Sequence, residues 1–372
     1  MKNKWIVTTL ICSLLLPPLT GLADNRFKLS GRLFFDAGAH FGDNKDMDAD
    51  VNIPDVRLTG KFYLPSDVYV KIDAGLANNK LKLKDAFIQK AKNKHIFRLG
   101  YMFGFIGMDQ SSSSNDFLFL TGSNSTETFY LGRRTGVSYN YAGDRLYTSV
   151  GIFCGDKLEK KSNIQRGINS SLRVVYRPIK ENDHLLHIGM GCVYRQPDKN
   201  KESQKRSLTL GSTANCYLNV PYVFSHTFED CNEQWQWNVE ALGILKKFFY
   251  QAEYTGMVVK HTEKGNYKAA GAYIECGALL KGDMLNYDYT DALPVCPTTP
   301  GSWMVFFRMN VTDLNDNCIK AGRMYDASVG SNYYFNNYLT FRINYSHQWT
   351  DQYTALGERN WGTLQTRIQF RF

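Results

Sequence analysis

The chain has 372 residues, a formal net charge of +9 and an aromatic content of 14%. After residue 23 it has no run of 18 consecutive apolar residues, which excludes a transmembrane helix in that part of the chain. A basic chain often binds nucleic acid, but the export signal at the start of this one argues against a nucleic-acid partner.

The first 23 residues have the pattern of a secretory signal peptide. A basic start and an apolar run, Trp5–Leu16, precede small residues at Gly21-Leu22-Ala23. This apolar run is shorter than the about 20 residues that a membrane-spanning helix needs. We therefore expect residues 1–23 to be removed and the rest of the chain to be exported.

Most of the exported chain alternates between apolar and polar residues with a period of two. In the last part, Phe341, Ile343 and Tyr345 alternate with polar residues such as Arg342 and Asn344. Strict alternation is typical of strands whose two faces meet different environments. Because Arg recurs on the polar face, we interpret these strands as apolar toward lipid and polar toward a lumen. The alternative is a soluble β-sandwich.

Alternation stops between Phe103 and Leu131, a stretch that contains no Lys or Arg. A loop of this length in a compact fold is usually functional or disordered. Its aromatic residues favour packing inside a lumen, where it would form a constriction, although a surface loop is the alternative. The polar residues of the predicted constriction are Asp109, Ser111, Ser112, Ser113, Ser114, Asp116 and Glu127. A second irregular stretch, Lys199–Thr227, is predicted to be a long outer loop with one strand pair.

Short turns and longer loops connect the predicted strands, and no strand is followed by a convincing amphipathic helix. This order excludes a parallel α/β sheet and is typical of an outer-membrane barrel. The predicted fold is all-β: a transmembrane antiparallel β-barrel of about 16 strands with an inward-folded third loop. Residues 24–372 are predicted to form this single domain in the outer membrane of a Gram-negative bacterium.

Basic residues recur on the polar face of the predicted strands. Rings of Arg and Lys bias a pore toward anions, and the guanidinium group is a permanently charged donor to oxyanions. The alternative, which the sequence leaves open, is that these residues pair with carboxylates and stiffen the barrel. The predicted pore-lining and anion-binding residues are Arg32, Arg57, Lys71, Arg98, Arg134, Arg145, Arg173, Arg308 and Arg342.

No enzymatic motif is found: the His residues are scattered, and no phosphate-binding loop or dinucleotide fingerprint occurs. No C-x-x-C spacing exists, so a zinc site is not expected. No cofactor is predicted. Seven of the eight Cys residues follow the predicted cleavage site, which forbids complete internal pairing. Cys216 and Cys231 are one candidate disulfide pair.

Several segments, in their order along the chain, resemble the phosphate-selective porin O and P family. They are Lys84-Asp85-Ala86-Phe87-Ile88, Arg98-Leu99-Gly100-Tyr101, the loop Ser111–Phe119, Arg133-Arg134-Thr135-Gly136-Val137, Arg308–Asp316, Gly330–Asn336 and Arg367–Phe372. The resemblance implies a homotrimeric, 16-stranded outer-membrane channel whose third long loop folds into the pore. The outer-membrane lipids and lipopolysaccharide would be its surroundings.

One departure concerns selectivity. Members of the family that select phosphate place Arg in the inward loop, whereas this chain has Leu120-Thr121-Gly122 there. The predicted function is therefore a non-enzymatic porin for passive diffusion of small hydrophilic solutes, with a preference for anions and phosphate as one candidate. The alternative is an outer-membrane enzyme or adhesin with a plugged lumen.

Overall fold

The computed structural model describes residues 26–43, 45, 47–77, 80–156, 158, 163–218, 220–261 and 265–372. The predicted signal peptide, residues 1–23, lies outside this part of the chain. Within the described part, no helix has the length and apolar character required to cross a membrane.

Sixteen of the described strands form one closed antiparallel barrel. They are β1 (Phe27–Gly42), β2 (Asp50–Leu64), β3 (Val68–Ala77), β4 (Lys80–Lys92), β5 (His95–Phe103), β6 (Arg133–Ala142), β7 (Leu146–Cys154), β9 (Ile168–Lys180), β10 (His184–Arg195), β14 (Cys231–Leu245), β15 (Phe248–His261), β16 (Gly265–Lys281), β19 (Ser302–Asn315), β20 (Lys320–Tyr334), β21 (Leu339–Thr350) and β22 (Arg359–Arg371). The first and last strands pair from Arg32 opposite Arg371 to Gly42 opposite Trp361, which closes the barrel.

Six short strands and two short helices belong to the connections between barrel strands. They are β8 (Ile164–Gln165), β11 (Lys199–Asn200), β12 (Ser207–Ser212), β13 (Phe224–Glu229), β17 (Asn286–Asp288), β18 (Leu293–Val295), α1 (Met108–Ser111) and α2 (Asn124–Thr128). The short strands pair as β8 with β11, β12 with β13 and β17 with β18.

The barrel strands are apolar on the outside and polar on the inside, as the sequence predicts. On β21, Arg342 and Asn344 are buried inside the barrel, whereas Ile343 and Tyr345 are exposed on its outer surface. A lipid-facing surface needs apolar side chains, and a water-filled interior tolerates charged ones. The prediction of an antiparallel transmembrane barrel of about 16 strands is therefore confirmed.

The two ends of the barrel differ in the length of their connections. We call one end the turn end, because short turns join strands there at residues 65–67, 93–94, 143–145, 181–183, 246–247 and 335–338. The opposite end, the loop end, carries longer connections, including residues 104–132 and 196–230. Residues 282–301 are a long connection at the turn end, where outer-membrane barrels normally have short turns.

Three of these connections fold into the barrel and fill the side formed by the later strands. We call residues 104–132 the inner loop, residues 196–230 the loop-end insert and residues 282–301 the turn-end hairpin. The loop-end insert packs Leu208 and Phe224 with inward-facing Met257 and Val259 of β15. The strand pair predicted within Lys199–Thr227 is confirmed by β12 and β13. The prediction that the whole stretch lies outside is wrong, because its apolar side chains are buried against apolar wall residues.

The turn-end hairpin forms a second apolar core inside the barrel. Leu285 and Leu293 pack in one cluster with Leu242 and Ile244 of β14 and with Phe119 of the inner loop. Apolar side chains on an inward barrel face would otherwise contact water, so the hairpin removes this surface from solvent. The open space in the barrel is consequently confined to the side formed by the early strands.

Candidate functional site

A cavity of about 1660 Å³ extends along the barrel between the early strands and the three inserted segments. Its lining includes Asp50 and Tyr222 near the loop end, and Asn337 and Arg371 near the turn end. A polar space that spans the barrel in this way is a path for water and small solutes. We call it the channel.

One side of the channel is strongly basic. Within the described residues, seven cationic side chains of β1–β6 line it, and three carboxylates of the same strands, those of Asp50, Asp73 and Asp85, line it with them. We call the seven the basic wall: Arg32, Arg57, Lys61, Lys71, Lys84, Arg98 and Arg133. The low-dielectric surroundings of a pore strengthen the potential that such a wall produces along the axis.

Near the middle of the wall, arginines and carboxylates alternate. Arg32 donates to the carboxylate of Asp55 through Nε at 2.7 Å and also through Nη2. The Arg57 guanidinium lies 3.2 Å from the same Asp55 carboxylate and 3.7 Å from that of Asp73. Since Asp55 is shared, the two guanidinium groups are held close together and retain part of their positive potential.

A second shared carboxylate lies toward β6. The Asp85 side chain accepts from Lys71 Nζ at 2.7 Å and from Arg133 Nε at 2.5 Å. The guanidinium carbon of Arg133 also lies 3.8 Å from the centre of the Phe103 ring, a cation–π contact. This packing fixes the charge of Arg133 where the inner loop meets the barrel.

Lys61 and Lys84 differ from the other members of the basic wall. Both line the channel, and among the described residues neither ammonium group forms an ion pair. Lys84 reaches the channel because the pairing of β3 with β4 shifts register between Ile72 and Ala74, so that the consecutive residues Lys84 and Asp85 both face inward. These two lysines are the uncompensated charges of the wall.

The inner loop forms the opposite side of the channel, and all seven polar residues predicted for the constriction line the cavity. Arg32 donates to Ser113 Oγ at 3.2 Å and to Ser114 Oγ at 2.6 Å. These bonds cross the channel and fix the serine run against the basic wall. The passage is therefore reduced to the space beside these contacts, which we call the narrow part of the channel.

Arginines of the later strands hold the inner loop in place. Arg342 donates to the backbone oxygens of Phe117 at 2.6 Å and of Asn115 at 2.5 Å. Arg367 donates to the Leu120 oxygen at 2.9 Å and pairs with Asp36. An irregular loop inside a barrel has carbonyl groups without strand partners, and buried carbonyl groups need such donors.

The turn-end hairpin is bound to the wall in the same manner. Arg98 donates to Asp291 Oδ1 at 3.0 Å, and Arg173 donates to the backbone oxygens of Asp291 at 2.9 Å and Ala292 at 2.8 Å. His187 Nδ1 lies 2.9 Å from the hydroxyl of Tyr287. The hairpin is thus fixed by charged and apolar contacts together.

The structure separates the nine predicted basic residues into three groups. Arg32, Arg57, Lys71 and Arg98 line the channel. The second group faces the interior but is not part of the lining: Arg134 with Asp156, Arg173 with Glu240, Arg308 with Glu275, and Arg342 with the inner loop. Arg145 is outside the lumen, so its placement in the pore is wrong: it lies in the turn after β6 and donates to the Pro178 oxygen at 2.7 Å.

Some basic residues of the channel were not predicted from the sequence. Lys84 faces inward only because of the register shift, and Arg133, rather than its neighbour Arg134, lines the channel. The turn-end hairpin had a detectable signal: the run Leu242-Gly243-Ile244-Leu245 at the end of β14 is apolar on both faces. A barrel strand with an apolar inner face indicates that something packs against it inside.

The cysteines form no disulfide among the described residues, and all seven are free thiols. The proposed Cys216–Cys231 pair is therefore wrong. Cys216 Sγ accepts from the Leu218 backbone at 3.3 Å, and the Cys231 thiol donates to the Arg206 oxygen at 3.6 Å. Within the described chain, no cluster of three His, Cys, Asp or Glu side chains has the arrangement of a metal site.

Glu127 brings a titratable group to the channel. It lies in α2 of the inner loop, outside the membrane-spanning strands, and lines the cavity. Burial raises the pKa of its carboxyl group to about 8, with Arg308 opposing this shift and Asp109 adding to it. At neutral pH the carboxyl is therefore mainly protonated and places little negative charge beside the channel.

This raised pKa predicts a pH-dependent selectivity. Between about pH 6 and about pH 9, ionisation of Glu127 adds a negative charge, so the reversal potential under a salt gradient should move toward cation preference. In Glu127→Gln the shift should be much smaller. Measurements of both proteins in planar bilayers check this, and equal shifts in the two would assign the effect to other carboxyl groups, with Asp109 the first to examine.

The closed barrel, its inward-folded loop and its polar channel define the class of the protein: an outer-membrane porin. The family model for phosphate-selective porin O and P matches residues 27–372. The chain belongs to this family, and it forms a channel in the bacterial outer membrane.

Individual relatives agree with this assignment. The chain is 24% identical over 356 residues to an uncharacterised protein of Caulobacter vibrioides, covering 87% of this chain and 68% of that protein. It is 23% identical over 263 residues to Porin O of Pseudomonas aeruginosa, covering 62% and 58% of the two chains. Its fold is similar to that of an anion-selective porin from Comamonas acidovorans, with a TM-score of 0.61, 11% identity and coverage of 93% and 99%.

Proposed function

We propose that this porin conducts small hydrophilic solutes by passive diffusion with a preference for anions. The observation that carries the proposal is the basic wall: seven cations of β1–β6 line one side of the channel, against three carboxylates of the same strands. Lys61 and Lys84 give this wall an excess of positive charge in a low-dielectric pore. The carboxyl group of Glu127 on the facing loop is mainly neutral at pH 7, since its pKa is about 8.

Phosphate is one anion that this channel would pass, as the family description suggests. Because the inner loop contributes no Lys or Arg between Phe103 and Leu131, the cations that contact an anion belong to the barrel wall. A selective phosphate filter would thus have to use Arg57, Lys84 and their neighbours. We also propose a homotrimer in contact with outer-membrane lipids and lipopolysaccharide, and no catalytic activity.

The test is the conductance of the purified protein in planar bilayers under a potassium chloride gradient. We expect stepwise openings and a reversal potential of the sign that anion selectivity produces. Arg98→Gln should reduce the anion preference, because Arg98 lines the channel, whereas Arg145→Gln should leave it unchanged. Cation preference in the unmodified protein at neutral pH would contradict the proposal. Turnover of phospholipid would point to an enzyme instead.

A further inference from the structure

We infer that the narrow part of the channel holds a binding site for hydroxylated carboxylates, the chemical class of the sugar acids. This inference rests on the proposed function, since it assumes that anions enter the channel. The site is formed by Arg57, Asp73 and Lys84 of the basic wall and by Gln110 and Ser111 of the inner loop. All five side chains line the cavity.

The first observation is a set of buried polar atoms that lack a hydrogen-bond partner within the described protein. Arg57 Nε, Asp73 Oδ1, Gln110 Nε2 and Ser111 Oγ have no hydrogen-bond partner within the described protein. Asp73 is 3% exposed, so its free oxygen is held in a nearly enclosed position on the channel. Buried polar groups are normally satisfied, and several unsatisfied groups around one cavity indicate a polar occupant.

The second observation is that the barrel wall and the inner loop, which supply these five side chains to one cavity, are joined directly beside Arg57. The Arg57 and Asp73 side chains are 3.7 Å apart, and Arg57 shares the Asp55 carboxylate with Arg32. Arg32 in turn donates across the channel to Ser114 at 2.6 Å, a few residues beyond Ser111. The wall and the inner loop are therefore held at a fixed separation around the site.

The donor and acceptor types define the occupant. Arg57 and the unpaired Lys84 suit a carboxylate, which accepts charge-assisted hydrogen bonds from both. Asp73 Oδ1 is an acceptor and needs a donor on the solute, which a hydroxyl group supplies. Gln110 and Ser111 can donate to further hydroxyl oxygens. Chloride can only accept hydrogen bonds, and the Asp73 carboxylate repels it. A polyhydroxylated carboxylate can accept from Arg57 and Lys84 and also donate a hydroxyl to Asp73.

The experiment measures block of the chloride current through the full-length protein in planar bilayers. D-Glucuronate is compared with cyclohexanecarboxylate, which has the same ring size and charge but no hydroxyl groups, and with inorganic phosphate. We expect glucuronate to half-block the current at a concentration about tenfold lower than cyclohexanecarboxylate, the effect of one hydrogen bond to a charged group. Equal block by the two, or tighter block by phosphate, would overturn the inference. An absence of chloride current would instead overturn the proposed function.

Two variants assign the effect to the site. Asp73→Asn should raise the half-block concentration of glucuronate relative to that of phosphate about tenfold, because both anions lose a repelling carboxylate but only glucuronate loses a charged hydrogen-bond acceptor. Gln110→Ala, in the inner loop, should weaken the glucuronate block without strengthening that of phosphate. Asp144→Asn is the matched control, since Asp144 is exposed and pairs with Lys94 outside the channel. An Asp73→Asn variant that conducts chloride normally and leaves the ratio of the two half-block concentrations unchanged would contradict the assignment.

Discussion

Replacing residues 286–295 of the turn-end hairpin with Gly-Ser-Gly is expected to raise the single-channel conductance about twofold or more, because the hairpin fills lumen that a 16-stranded barrel would leave to water. The replacement can close without breaking the barrel, since Lys281 and Trp303 are already paired across the neighbouring strands β16 and β19. Single-channel recording in planar bilayers measures the change directly.

The same variant should also lose stability. It exposes Leu242, Ile244 and Phe249 to the lumen, and each apolar side chain of this size contributes about 1.5–3 kcal/mol when buried. Replacing the exposed turn at residues 65–67 with Gly-Ser-Gly is the matched control, because no residue of that turn lines the channel. If conductance rose equally in the control, or stayed unchanged in the hairpin variant, the hairpin would not limit the channel.

Reversing the charge of both unpaired lysines, with Lys61→Glu and Lys84→Glu together, is expected to convert the channel from anion to cation preference. The seven cations of the basic wall would become five, and two new carboxylates would face the channel. Unlike Arg32 or Lys71, these lysines form no ion pair among the described residues, so their charges act on the permeating ion without local compensation. The readout is the sign of the reversal potential under a tenfold salt gradient.

A control with the same change of net charge separates a local effect from a general one. Lys246→Glu with Lys247→Glu reverses two charges in the exposed turn between β14 and β15. Salt screens charges there within about 10 Å at 0.1 M, so their influence on the narrow part of the channel should be small. Reversed selectivity in this control, or unchanged anion preference in the channel variant, would contradict the role of Lys61 and Lys84.

The barrel could be predicted from the sequence because its signal is local. Each strand alternates on its own, and β21 shows the pattern with Arg342 inside and Ile343 outside. What fills the barrel depends on contacts between distant segments. Leu285 and Leu293 belong to the same core cluster as Leu242, which lies 43 and 51 residues earlier in the sequence. Periodicity does not predict contacts at such a separation. The loop-end insert was misplaced outside for the same reason.

The candidate site was predictable only in part. The inner loop was visible because it interrupts the alternation, and its polar residues line the channel. Alternation also put Arg57 and Arg342 on the inner face, but it does not distinguish a side chain facing water from one that binds a loop carbonyl, as Arg342 does. Lys84 depends on a register shift between β3 and β4, which tertiary pairing determines.

The pairing of β1 with β22 also determines the order of assembly. Gly31 and Phe372 exchange backbone hydrogen bonds of 3.0 and 3.1 Å and so extend the seam between β1 and β22. Until β22 has been delivered, its two neighbours in the barrel, β1 and β21, present unpaired edges that invite aggregation. Because the two partners are separated by almost the whole sequence, closure is the slowest type of contact to form. An exported chain of this design must be kept apart from its copies until β22 reaches the membrane.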